Sequence, residues 1–139
     1  LVDINLIEQK LKELDRYLVQ LAKHRGATAE DLKTDLDKAW IVEHGLQLCI
    51  QAVLDMGNHI LAEKGLTVTE YADIFDELAR LEVLPKDFAQ KISGMAGFRN
   101  ILVLEYAKVD LEQVAKVLNN NLNDFREFAK HLGEFLQLR

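Results

Sequence analysis

The stretch LDKAWIVEHGLQLCIQAVLDMGNHILAEKG, residues 36–65, decides the fold class. Apolar side chains at Leu36, Trp40, Val42, Leu46, Ile50, Val53, Leu54 and Leu61 run through it, and nothing interrupts it except Gly45 and Gly57. A periodic apolar run of this length without proline predicts a helix, the longest in the chain. Each glycine costs a helix interior roughly 1 kcal/mol relative to alanine, so two of them call for a reason. Gly45, Cys49, Ala52 and Gly57 would let another helix approach closely, either one from the same chain or one from a second copy.

Working outward, the same periodicity recurs on both sides. Ile4, Ile7, Leu11, Leu14, Leu18 and Leu21 step by three or four and predict a first helix to about Lys23, stopped by Gly26. Thr28 with Asp31, or Thr34 with Asp37, can cap the long helix. Gly65 ends it. A third helix follows in TVTEYADIFDELARL, with Thr69 as N-cap and Tyr71, Ile74, Phe75 and Leu78 as its apolar face. Pro85 opens a fourth helix in its first turn, running through Phe88, Ile92, Met95 and Phe98. Asp110 caps a fifth, carrying Leu111, Val114, Leu118, Phe125 and Leu132, with a weak spot at Leu118–Asp124 where it could kink. The pattern predicts an all-α chain of five helices, the long ones forming an antiparallel bundle, in one domain over residues 1–139.

Composition narrows the function classes. A net charge of −6 argues against coating nucleic acid by bulk electrostatics, though not against a small basic pocket. The lone Cys49 permits no intrachain disulfide, which suits a reducing cytoplasm. No apolar run approaches the length of a membrane span, and no basic-then-apolar leader opens the chain. Leu1 in place of Met leaves room for a few residues before it. The histidines at 24, 44, 59 and 131 form no metal-type pair, and His44 and Cys49, five apart, point in different directions. Neither a metal nor a cofactor is expected. Ser93 has no nucleophile context, and no glycine-rich phosphate loop follows a strand.

Two polar insertions interrupt the helices. Asp55, Asn58 and His59 share one helical side, where Asp55 could hydrogen-bond His59 or simply complete a polar patch. The second lies in GFRNILVLEYAKVD, residues 97–110, where Arg99 and Asn100 precede an otherwise buried-looking run and Tyr106 follows it. At ~100° per residue, Arg99 and Tyr106 lie nearly above one another, two turns apart. Asn100 and Leu104 align on the neighbouring stripe. An arginine and a tyrosine in one groove could hold a phosphate; an interhelical hydrogen bond or a solvated side reads equally well from the spacing.

This last stretch resembles the signature of the HepT-like branch of the HEPN superfamily, in which Arg-Asn is followed by three residues, His, one residue and Tyr. HGLQLCIQAVLDMGNHILAEKGL and YADIFDELARLEVLP resemble the same branch in order and spacing, so the likeness covers about Asp37 to Phe128. It implies an antiparallel four-helix-type HEPN bundle with a fifth helix, paired as a homodimer whose motif helices meet at a cleft. It implies the toxin of a type VII-like toxin–antitoxin pair: a metal-independent endoribonuclease acting on RNA, neutralised by an MntA-like nucleotidyltransferase antitoxin. In that frame Arg99 neutralises the scissile phosphate and Asn100 positions neighbouring groups. Tyr106 accepts AMP from the antitoxin, and Asp55, Asn58 and His59 are supporting candidates.

The motif histidine, however, is replaced here by Leu104, which has no proton to exchange. Loss of general acid–base help costs roughly 10²–10⁴-fold in rate, so the chain is expected to be inactive or impaired. His59 is the one histidine that could approach from an adjacent helix. Three explanations stand beside one another: a detoxified toxin, a naturally degenerate member that still binds its partner, or a noncatalytic interaction module. Intact Arg99, Asn100 and Tyr106 favour the first. The acidic balance further predicts a local basic cleft built from Arg99 with Lys91 or Lys108.

Overall fold

The structure, a computed structural model, describes residues 2–104 and 109–137; Tyr106 and Lys108 lie outside the described residues. It is all-α. The described residues form α1 (Ile4–Ala22), α2 (Ala29–Thr34), α3 (Leu36–Glu63), α4 (Ala72–Arg80), α5 (Lys86–Ile92), α6 (Gly94–Leu104), α7 (Leu111–Asn120) and α8 (Leu122–Leu136). The five expected helices are present, three of them with extra breaks or additions whose causes are local.

Thr28 caps a short separate helix, α2, through a box in which its hydroxyl accepts from the Asp31 N–H and the Asp31 carboxylate accepts from the Thr28 N–H. Those bonds, the one from the Thr28 backbone first, hold the Asp31 carboxyl below its ordinary range. The long helix is capped by Asp35, whose side chain accepts from the Lys38 N–H, and not by Thr34. Thr69 caps nothing: α4 begins at Ala72, with Tyr71 at the N-cap position. Pro85 likewise stands one residue before α5 and not within its first turn. The expected fourth helix breaks at Ser93, whose hydroxyl donates to the Gln90 carbonyl at 2.9 Å, in competition with the helical ladder. The weak spot in the fifth helix is realised as a break at Asn121, whose amide donates to Asp124.

α3 is the common neighbour. It packs on α1, α2, α4, α6, α7 and α8, and its buried residues are spread around most of its circumference, as a central helix requires. α1 runs antiparallel to it, with Leu21 against Gly45, Lys10 beside Asp55, and the Asp3 N–H on His59. The glycines now have their reason. A Cβ on Gly45 would lie 2.7 Å from Leu21 Cδ2, and one on Gly57 would lie 2.7 Å from Ile74 Cγ2. The small-residue face therefore serves α1 and α4 of the same chain, with Cys49, Ala52 and Gly57 buried there.

Candidate functional site around Arg99

The break after α5 separates a segment packed on α4 from α6, which packs on α3 and α4. α6 carries Arg99 to the long helix. Arg99 Nε–H donates to Gln51 Oε1 at 3.2 Å, and Nη1 donates to Asn100 Oδ1 at 3.2 Å. The guanidinium also lies over the Tyr71 ring, 5.0 Å from its centroid. Arg99 is half-buried, and among the described residues no carboxylate pairs with it. Both of its hydrogen-bond acceptors are neutral amides.

Gln51 is itself held. Its Nε2 donates to Asp55 Oδ1 at 2.8 Å, one turn along α3. A carboxylate can only accept, so the NH₂ of the amide must face Asp55 and its oxygen is left for Arg99. The other oxygen of Asp55 lies 3.7 Å from Lys10 Nζ. A polar ladder thus runs from α1 through α3 to α6, with Tyr71 beneath its end.

Of the residues read from sequence, the structure unites Arg99, Asn100 and Asp55. The expected Asp55–His59 bond is not made, because Asp55 turns toward Gln51 and Lys10 while His59 Nε2 accepts the Asp3 N–H at 3.1 Å. His59 is also eight residues beyond Gln51, about 12 Å along the axis, so it does not approach Arg99. Asn58 is exposed on the same stripe. Lys91 contributes nothing to a basic cleft at Arg99: its ammonium pairs with Asp124 at 3.2 Å, bridging α5 and α8. Leu104, on the last turn of α6, is 69% exposed, so the apolar run is not buried throughout; of residues 101–104 Leu102 alone is buried. Sequence reasoning missed Gln51 and Tyr71. The Gln51–Asp55 spacing of four was a usable signal. Tyr71 was placed on the apolar face of its helix, yet it precedes the helix and is 38% exposed.

An all-α bundle with an arginine-bearing helix laid against its longest helix is the class that these features define. Residues 7–132 match the family described as Ribonuclease HepT-like, and the chain belongs to that family. A tRNA nuclease HepT of Aphanizomenon flos-aquae (strain 2012/KM1/D3) is 30% identical over 133 residues, covering 94% of this chain and 90% of that protein. An mRNA nuclease HepT of Shewanella oneidensis is 27% identical over 125 residues, 89% of this chain and 93% of that protein. Among solved structures, a tri-AMPylated Shewanella oneidensis HEPN toxin in complex with MNT antitoxin superposes with a TM-score of 0.82 at 27% identity, covering 96% of this chain and 99% of that one. A toxin–antitoxin structure with AMP-PNP gives 0.83 at 25% identity, covering 94% and 98%. No helix among the described residues is long and apolar enough to cross a membrane.

Proposed function

We propose that the chain is a cytoplasmic HEPN toxin subunit, one domain over residues 1–139, that holds RNA phosphate at Arg99 and lacks the chemical group needed to cleave it. The observation that carries this is the state of Arg99: fixed by two neutral amides and a ring, paired with no carboxylate among the described residues, and only half-buried. A cation held this way retains its charge for an incoming anion. In a competent site of this type, Arg99 offsets charge on the scissile phosphodiester. A histidine at 104 then takes the ribose 2′-hydroxyl proton or protonates the leaving oxygen. Leu104 can do neither. Two chains in a homodimer would bring two such motifs to one cleft. The dimer needs a surface other than the Gly45–Gly57 face, and gel filtration with light scattering giving a monomer would remove it.

Regulation is read from the motif spacing. Tyr106 is the acceptor for AMP from an MntA-like nucleotidyltransferase antitoxin, and a bulky anion there repels substrate phosphate from Arg99. Incubation with such a partner and ATP is expected to add AMP mass that is lost in Tyr106→Phe. The direct test of the chemical half is Leu104→His, which should restore RNA cleavage that Arg99→Ala then abolishes.

The 69% exposure of Leu104 favours a second reading, a noncatalytic helical-bundle module that binds the nucleotidyltransferase through an apolar surface at the motif. Stable binding of that partner, with no RNA cleavage by either the Leu104 chain or Leu104→His, would select it.

A further inference from the structure

We propose that Gln51 is a positioning residue for Arg99, a neutral relay that fixes the guanidinium while keeping its charge uncancelled by Asp55. The proposal rests on the phosphate-binding reading above.

A free arginine side chain samples many rotamers, and a phosphate site benefits when that freedom is removed before the ligand arrives. Here the guanidinium is held from three directions: Gln51 of α3 on Nε, Asn100 of its own helix on Nη1, and the Tyr71 ring against its plane. Taking the Nε–H inward leaves the Nη edge for a ligand. Nη2 and the second Nη1–H there can still pair with phosphate oxygens.

The identity of the tethering residue matters more than its existence. A glutamate at 51 would hold Arg99 more strongly, through a charge-assisted bond. It would also neutralise the group that must meet an anion. A glutamine supplies the acceptor without the charge, but an amide can flip. Asp55 prevents this, because a carboxylate one turn away can only face the NH₂ end. Asp55 is thereby held one residue back from Arg99, and its own charge is answered by Lys10. If the contact served only to tie α6 to α3, a charge placed at 51 would leave RNA binding unchanged once the fold is intact. The relay requires the opposite.

The test uses the chain with Leu104 and binding alone, so it needs no restored histidine. The affinity of a fluorescent single-stranded RNA oligonucleotide is measured across a salt series for Gln51→Glu, Gln51→Met, Arg99→Ala and Gln47→Glu. Gln47→Glu adds the same charge one turn away and serves as control. Melting temperatures are recorded for each. Gln51→Glu is expected to keep its melting temperature and lose about tenfold in affinity, with the salt slope lowered by about 1, as in Arg99→Ala. Gln51→Met, an unbranched isostere, should weaken binding while keeping the slope. Gln47→Glu should lose less than about threefold. Natural affinity in Gln51→Glu, or equal losses in the two glutamate variants, would overturn the relay and leave the phosphate reading standing. Undiminished RNA binding by Arg99→Ala would overturn both.

Discussion

Two side chains in this molecule do the same kind of bonding to opposite ends. Asn119, on α7, accepts the Gly26 N–H at 2.6 Å and donates to the carbonyls of Ala27 and Ala115 at 2.9 Å each. Every partner is backbone, and the bonds tie α7 to the turn before α2. Among the described residues, the Arg99 side chain bonds to two side chains, Gln51 and Asn100, and stacks on a third, Tyr71. Asn119 uses both ends of its amide; Arg99 keeps donors in reserve. A polar residue saturated by backbone is doing structural work. One held in place by side chains with capacity left over is arranged to meet something else.

The comparison can be broken most decisively by exchanging roles. In a Leu104→His background, Arg99→Ala is expected to lower RNA cleavage by roughly 100-fold or more, with thermal stability changed by less than about 1 kcal/mol. Asn119→Ala should do the reverse: a stability loss of about 1–2 kcal/mol by denaturant titration, from the Gly26 N–H and Ala27 carbonyl left without their partner, and unchanged RNA affinity. An Asn119→Ala protein that folds normally but no longer binds RNA would erase the distinction.

The glycines sharpen it at the level of packing. Gly57→Ala would push a methyl against Ile74 and Leu78, both fully buried and closely packed. The expected net loss is about 1–2 kcal/mol, after the gain in helix propensity is set against the overlap. Gly97, in α6, has nothing within 4 Å of the same position, and Gly97→Ala should stabilise by about 0.5–1 kcal/mol. Equal effects from the two would deny that α4 approaches α3 closely.

Cys49 gives the smallest expected signal. Burial pushes its thiol up to about 12, with only a small opposing effect from Arg126. Alkylation under native conditions should be negligible near neutral pH and should appear only in step with unfolding. Prompt labelling would mean that the core around α3 opens locally.

Much of the fold was legible in the sequence because periodicity and punctuation act locally. Gly26 and Gly65, both at positive φ, and Asp110, whose side chain accepts from the Glu112 N–H, mark helix ends through their own backbone preferences. The misplaced boundaries share a cause too. Ser93 breaks a helix through a single hydroxyl bond that no apolar pattern records, and Asp35 outcompetes Thr34 as a cap one residue away. The site was legible only in part. Arg99 and Asn100 stand out as polar residues in an apolar run. Gln51 acquires its role from a partner 48 positions distant, and Tyr71 from where α4 happens to begin. Asp55 and His59 had the right spacing for a bond, but each found a better partner, Gln51 on one side and the Asp3 N–H on the other.

The most direct test of the central claim is RNA cleavage by the chain with Leu104 beside its Leu104→His counterpart, each with and without Arg99→Ala. The chain with Leu104 is expected to give no measurable cleavage, Leu104→His a rate at least about 100-fold higher, and that rate is lost when Arg99 is removed. Equal cleavage by both forms would contradict it, since the acid–base group would then lie outside the motif position that Leu104 occupies.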